Sequence, residues 1–194
     1  SFANSFAAIK VLLGFDCGPG NILLDQWIYS NKNLTFDKDG QWARKGKVVP
    51  ELLNAFFQEP YFKMGLPKST GREKFNSNWL DAHRIDLYDA KDVQRTLLEL
   101  TVLSIKDAIN NFCDGADEVF VCGGGSENNF LMERLVKIIG IPVNKTDVIG
   151  VPSQHVEAMA FAWLASKTLR GEANNSPNIT GSKGPRILGI IYYP

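Results

Sequence analysis

The sequence is poor in the side chains that bind transition metals. Its 194 residues include only three cysteines and two histidines, and no two cysteines form a CxxC pair. Structural zinc sites are commonly built from such pairs together with histidines. We therefore expect no metal site made by the protein alone. We also expect Cys17, Cys113 and Cys122 to be reduced thiols in a cytoplasmic protein.

The sequence also lacks an excess of charge of either sign. Lys and Arg together number 21, as do Asp and Glu, so no net field attracts nucleic acid or an anionic membrane. The longest apolar stretches, such as residues 11–15, are far too short to cross a bilayer, and the N-terminus lacks the charged-then-apolar order of a secretory signal. Neither nucleic acid nor a membrane is therefore an expected partner. Because the chain opens at Ser1 without a methionine, we expect a fragment of a longer protein.

Strands and helices alternate along the chain, with enough residues for one compact domain. Short apolar runs predict strands at residues 10–16, 118–122 and 186–192 and around Val143. This alternation is typical of layered α/β folds. The apolar periodicity and turn residues predict helices over residues 21–27, 50–57, 90–112, 129–139 and 153–169.

Two of these helices carry specific expectations about the core. In helix 90–112 the apolar residues recur at spacings of four and three, which places them on one face. In helix 153–169 we expect Met159 and Trp163 to be core residues. The face of the first helix consists of Leu98, Val102, Ile105, Ile109 and Phe112.

A strand, a glycine turn and a helix follow one another twice in the chain. The turns are residues 17–20 and 123–125. Glycine lets the backbone approach a ligand closely, and the unpaired N–H groups that begin the next helix favour phosphate oxygens. Neither turn fits GxGxxG, and the chain has no GxxxxGK[ST] loop. Each turn is therefore a candidate anion site, with plain turn geometry as the alternative.

Asp16 stands at the end of the first predicted strand, directly before a glycine turn. Open α/β sheets bind ligands at the carboxyl ends of their strands. A carboxylate there could act as a general base or orient a metal-bound water. The alternative is that Asp16 only accepts hydrogen bonds from turn amides.

Several separated segments resemble one enzyme family. Residues 14–21 read GFDCGPGN, which is similar to the GFDTGPGN signature of anhydro-N-acetylmuramic acid kinases. Residues 67–73 resemble that family's PKSTGRE segment, and residues 96–101 its TLLELT helix. Residues 121–125 resemble its adenosine-side turn, and the stretches EAMAFAWLA and LGIIY complete a likeness that covers essentially the whole chain. The likeness is to the family's second half only.

The resemblance implies an α/β fold of two ribonuclease-H-like domains, of the sugar kinase, heat-shock protein and actin superfold, with a central mixed sheet flanked by helices. Residues 1–194 would be the C-terminal domain, whose partner is the N-terminal half of the same protein. The implied reaction is phosphorylation of 1,6-anhydro-N-acetylmuramic acid by ATP and Mg²⁺, with hydrolytic opening of the anhydro ring, in murein recycling. A homodimer is a further candidate assembly. Because the family's first phosphate motif lies in the other half, we expect little or no turnover from this chain alone.

The resemblance also implies roles for individual residues. Asp16 matches the catalytic base, which activates the water that attacks the anomeric carbon. Glu157 falls on the sugar side of the site, although a glutamate in a helix's first turn is favoured by the helix dipole in any case. The phosphates would be lined by Gly18, Gly20 and Asn21, and the adenosine by Gly123, Gly124, Gly125 and Asn128.

Two departures from the family pattern keep other functions open. Cys17 stands where threonine is usual, and Gln154 where aspartate is common. These changes are compatible with a catalytically weak nucleotide- or sugar-binding relative. A kinase for another sugar and a purely structural interaction domain are the remaining alternatives.

Overall fold

The computed structural model describes residues 12–113 and 115–192. Its α-helices are α1 (Ile22–Lys32), α2 (Gln41–Arg44), α3 (Pro50–Phe56), α4 (Ser77–Asp81), α5 (Ala90–Phe112), α6 (Asn129–Ile139), α7 (Val156–Leu169) and α8 (Pro177–Thr180). The strands are β1 (Val119–Val121) and β2 (Val143–Lys145). Short 3₁₀ helices cover Lys38–Gly40, Pro60–Lys63, Ile85–Leu87, Gly124–Glu127 and Thr146–Ile149. The protein is thus a mixed α/β structure dominated by helices.

Helix α5 is the centre of the hydrophobic core. The prediction of a helix over residues 90–112 is confirmed, because α5 has those bounds. Helices α1, α2, α3 and α6 all pack against it. Of the predicted face, Leu98 and Val102 are fully buried and Ile105 packs against the core. The first half of α5 is buried on all sides, so it is a fixed support for the loops that contact it.

A buried ion pair joins α5 to α6. Glu99 on α5 accepts two hydrogen bonds from Arg134 on α6, at 2.7 and 3.1 Å, and one from Arg95 at 2.8 Å. Burial alone would raise the pKa of the Glu99 carboxyl, but the hydrogen bonds from Arg134 and Arg95 outweigh it, so the pKa is lowered. Glu99 therefore fixes the position of α6 on the central helix.

The sheet is smaller than predicted. The predicted strands at residues 118–122 and around Val143 are confirmed, since β1 and β2 pair in parallel with Val119 opposite Val143. The described part of the first predicted strand, residues 12–16, and the predicted strand 186–192 are not strands; residues 10 and 11 lie outside the described residues. A strand needs a continuous ladder of hydrogen bonds with a neighbour, and the backbone bonds seen here are isolated ones, from the Asp16 N–H to the Lys68 carbonyl at 3.4 Å and from the Asn174 N–H to the Arg186 carbonyl at 3.1 Å. Within the described residues the sheet consists of the parallel β1–β2 pair, and the larger mixed sheet that the resemblance implies is not formed there.

Helix α7 lies on the surface, although its composition is apolar. It begins at Val156, three residues later than predicted, and none of its residues is buried. Met159 and Trp163, expected in the core, are 50% and 52% exposed, and Phe161 is 64% exposed. Their expected burial is wrong because no described element covers this face. Among the described residues, no helix is long and apolar enough to span a membrane.

Candidate active site

The first glycine turn is packed directly on α5. Thr101 Oγ1 donates a hydrogen bond to the Gly20 carbonyl at 2.9 Å. A β-carbon at Gly18 would lie 2.8 Å from Ser104 Oγ, closer than side chains normally approach, so only glycine fits there. Gly20 has φ +56°, in the region that favours glycine. These contacts hold the turn and the start of α1 against the rigid half of the central helix.

Asp16, at the start of this turn, is fixed by a distant loop. Its Oδ2 accepts a hydrogen bond from Ser69 Oγ at 2.7 Å and another from the Thr70 N–H at 3.0 Å. The Tyr61 hydroxyl donates to the Asp16 carbonyl at 2.7 Å. Burial, followed by the charges of Asp16 and Cys17, raises the pKa of Tyr61 to about 12, so this hydroxyl keeps its proton. The Asp16 side chain itself is exposed and open to a substrate.

The second glycine turn lies beside the end of the first. A β-carbon at Gly125 would lie 3.6 Å from the Asn21 amide, and one at Gly124 would lie 3.9 Å from it. Gly123 has φ +74°, and its N–H donates to the Ser153 carbonyl at 2.8 Å. The turns, about a hundred residues apart in sequence, therefore meet at Asn21, as expected if both contact one ligand.

A cavity of about 490 Å³ opens where the two turns meet. Asn21, Gly124 and Asn128 line it, as do Phe36 and Asp25. Such a volume suits a small organic ligand, and the combination of an aromatic ring, glycine backbone and amide side chains is common in such pockets. Phe36 is 59% exposed, so its ring is free to stack on a ligand.

Asp25 gives the cavity a carboxyl group that is a weaker acid than usual, because its pKa is raised. Burial, followed by the charge of Asp37, raises the pKa of Asp25 to about 6. Asp37 keeps its own carboxylate engaged, since it accepts hydrogen bonds from the N–H groups of Trp42 and Ala43 at 2.9 Å each, at the start of α2. The charge of Asp25 therefore changes near pH 6.

Replacing Asp25 by asparagine is expected to stabilise the protein at neutral and higher pH. Folding raises the pKa of this carboxyl to about 6, so its ionised form lowers the free energy of unfolding when the pH is above 6. This penalty vanishes when the pH falls below the pKa of the unfolded chain, which is near 4. The gain at pH 7.5 should be about 1 kcal/mol, which allows for solvent screening at a half-buried site. Urea unfolding at pH 7.5 and pH 4.5 checks this. An equal gain at both pH values would contradict the assignment of the penalty to this charge.

The structure gathers only part of the predicted site into the cavity. Of the predicted phosphate and adenosine residues, Asn21, Gly124 and Asn128 line it, whereas Gly18, Gly20, Gly123 and Gly125 support it from outside. Asn128 also caps α6, because its Oδ1 accepts a hydrogen bond from the Leu131 N–H at 3.0 Å. Glu157 lies exposed in the first turn of α7 and is not among the cavity residues.

The residues that sequence reasoning missed enter the site through packing of distant segments. Phe36 and Asp37 belong to a polar stretch with no motif of its own. Gln154 lines the cavity, and its amide donates to the Gly123 carbonyl at 2.9 Å, which an aspartate at this position could not do. Asp25 lies in the first turn of α1, a position that by itself assigns it no role. The sequence singled out Gln154 only as a departure from the family pattern, and the three-dimensional contacts bring it to the cavity together with Phe36 and Asp37.

In residues 12–113 and 115–192, no group of three or more His, Cys, Asp and Glu side chains is placed to hold a metal ion. Magnesium in phosphate sites usually keeps several waters and takes only one or two carboxylates together with phosphate oxygens. The donor set of this cavity is therefore compatible with a magnesium ion that enters with a nucleotide.

The sequence relationships agree with this arrangement. The family profile described as anhydro-N-acetylmuramic acid kinase matches residues 6–194. An anhydro-N-acetylmuramic acid kinase from Pseudomonas syringae pv. tomato is 50% identical over 182 residues, which are 92% of this chain and 50% of that protein. The kinase of the same name from Sulfurovum sp. is 45% identical over 193 residues, or 98% of this chain and 52% of that protein. The chain spans about half the length of the curated relatives it matches. Since the profile match includes both glycine turns, Asp16 and the cavity between them, the chain belongs to the anhydro-N-acetylmuramic acid kinase family.

Proposed function

We propose that this chain is the second half of an enzyme that phosphorylates 1,6-anhydro-N-acetylmuramic acid with ATP and opens its anhydro ring with water. The observation that carries the proposal is the geometry around the first glycine turn. Asp16 stands at one end of that turn with an oriented carboxylate, and Asn21 at the other end lines the cavity formed with the second turn. One turn thus connects a candidate base to a candidate nucleotide pocket, as phosphoryl transfer coupled to water attack requires.

In this reaction Asp16 is the general base. Its carboxylate takes the proton from the water that attacks the anomeric carbon, and the bond from that carbon to the anhydro oxygen breaks. The freed oxygen, at position 6 of the sugar, then accepts the phosphoryl group. The exposed position of Asp16, on a turn fixed to α5, supports this role.

The cavity residues would hold ATP. Asn21, beside Gly124, would contact the phosphates, and Asn128 and Phe36 would contact the adenosine. The missing side chain at Gly124 leaves room for close approach of the ligand to the backbone. ATP supplies the phosphoryl group, and the accompanying Mg²⁺ offsets the phosphate charge. Because Gly123 and Gly125 fix the shape of the second turn, their contribution would be through the backbone.

We further propose that residues 1–194 form the C-terminal domain of a two-domain kinase with the sugar kinase and actin superfold. The exposed face of α7 supports a missing partner. Met159, Phe161 and Trp163 are each at least half exposed on a helix without a buried residue, an unusual surface for a complete monomer. Since the relatives are about twice as long, their first half is the occupant that we propose for this face. "Full-length enzyme" below means this chain joined to that first half.

A cytoplasmic location is part of the proposal. Cys17, Cys113 and Cys122 are free thiols, which fits a reducing compartment with ATP. Glu157, on the exposed face of α7 but in its first turn, keeps its proposed place on the sugar side, where the first half would contribute further groups.

Titration calorimetry of the full-length enzyme with magnesium ADP tests the nucleotide pocket. We expect saturable binding with one site per chain. In Gly124→Val the affinity should fall at least about tenfold, because the added side chain occupies the space in which the nucleotide approaches the Gly124 backbone. Ser30→Val, on the exposed side of α1, is the matched control and should bind as wild type. An absence of binding in the wild type would favour a structural interaction domain instead.

A further inference from the structure

The loop of residues 67–72 makes the side-chain contacts that fix Asp16. Ser69 Oγ and the Thr70 N–H both donate to Asp16 Oδ2, at 2.7 and 3.0 Å. A backbone contact runs the other way, from the Asp16 N–H to the Lys68 carbonyl at 3.4 Å. Three consecutive loop residues therefore contact one aspartate that is more than fifty residues away in sequence.

Lys68 anchors this loop in an unusual way. The side chain is buried, only 8% exposed, and its ammonium group lies 5.2 Å from the centre of the Tyr61 ring, 5.5 Å from that of Phe112 and 6.0 Å from that of Phe15. None of the ion pairs between described residues includes Lys68. Three aromatic rings thus provide the stabilisation that a buried cation needs. Because Phe112 ends α5 and Phe15 precedes Asp16, the anchor ties the loop to both.

The two oxygens of the Asp16 carboxylate have different surroundings, because both hydrogen bonds go to the same one. Oδ2 accepts from a hydroxyl and from an amide, whereas Oδ1 has no hydrogen-bond partner among the described residues. A base that must take a proton from water needs one oxygen free and the other held, so that the free lone pair keeps its direction.

We propose that Ser69 and Thr70 are positioning residues that orient the carboxylate of Asp16 for proton abstraction, with Lys68 holding their loop against the aromatic rings. This inference rests on the proposed role of Asp16 as general base. It assigns to the loop a function in the reaction rather than a role in folding alone. Ser69 acts through its side chain and Thr70 through its backbone N–H, so only Ser69 is open to a simple test by substitution.

The test is steady-state kinetics of Ser69→Ala in the full-length enzyme. We expect kcat to fall about 10- to 100-fold, the effect of losing one hydrogen bond to a charged group. The KM values for ATP and sugar should stay within about twofold, since a positioning residue acts on the reaction step. Ser69→Thr, which keeps the hydroxyl, should recover most of the loss. Ser30→Ala, which removes a serine hydroxyl bonded to the Gln26 carbonyl on α1, is the matched control.

A double-substitution cycle separates positioning from folding. In an Asp16→Asn background, Ser69→Ala should cause no further loss of the residual rate, because the carboxylate that it orients is gone. Losses that multiply in the double variant, or a Ser69→Ala enzyme with wild-type kcat, would overturn the inference. Lys68→Met should lower kcat in the same way while Lys68→Arg, which keeps the cation, should lower it less; equal losses would contradict the aromatic anchor.

The same experiments distinguish failure of this inference from failure of the proposed function. If Asp16→Asn leaves the rate unchanged, the base is misassigned and the proposed mechanism fails at Asp16. If Asp16→Asn abolishes turnover while Ser69→Ala does not change kcat, the base stands and only the positioning role is wrong.

Discussion

Replacing Asp16 by asparagine in the full-length enzyme is expected to lower kcat at least about 1,000-fold, which corresponds to about 4 kcal/mol of transition-state stabilisation. Asparagine has the shape of aspartate, and its amide oxygen can still accept hydrogen bonds from Ser69 and the Thr70 N–H. It has no basic oxygen that can take a proton from water. The measurement is ADP release in the presence of 1,6-anhydro-N-acetylmuramic acid.

The control for this substitution is ligand binding. Because Asp16 is not among the cavity residues, the affinity for magnesium ADP should stay within about twofold of wild type. A substituted enzyme that retains a tenth or more of the wild-type kcat would exclude Asp16 as the general base. A fall in kcat accompanied by loss of ADP binding would instead point to a misfolded turn.

The isolated 194-residue chain is expected to give no detectable turnover, whereas the full-length enzyme should turn over readily. Phosphoryl transfer depends on groups that surround the phosphates and the sugar from several sides. The described residues form one side of the cavity and supply one candidate base, and no described element covers α7. The measurement compares ADP release by the isolated chain, by the full-length enzyme and by the chain mixed with a separately produced first half.

The mixed sample is the informative control. If the first half covers α7, mixing should restore activity, and Trp163→Glu on the exposed face of α7 should prevent the restoration. Ser30→Glu, at an exposed position of α1, introduces the same single negative charge outside α7 and should leave the restoration intact. Robust phosphorylation by the isolated chain, or its stable self-association through α7, would contradict the proposed division of the site between two halves.

The fold was predictable where a local pattern decides it. Helix α5 follows from apolar residues at helical spacing, and α6 ends at Ile139, directly before Gly140, whose φ of +84° suits glycine. The segments 10–16 and 186–192 were predicted as strands because they are apolar, but a strand exists only with a partner that provides a ladder of hydrogen bonds. The same reason explains Met159 and Trp163, whose apolar character predicts burial without saying which element buries them.

The candidate site was predictable only as separate pieces. The two glycine turns and Asp16 are visible as motifs, and the structure brings the turns together at Asn21. The contact between Ser69 and Asp16 and the entry of Phe36 into the cavity depend on chain segments far apart in sequence. No periodicity or spacing encodes such contacts, because they are set by the packing of loops on α5.

The most direct test of the proposed function is the mass of the product that the full-length enzyme makes from 1,6-anhydro-N-acetylmuramic acid and magnesium ATP in water enriched in oxygen-18. The proposal predicts a phosphorylated sugar that carries one heavy oxygen at the anomeric carbon, because water opens the ring while the original oxygen takes the phosphoryl group. An unchanged sugar in an enzyme that binds ADP, or ADP release without a phosphorylated, ring-opened product, would contradict it.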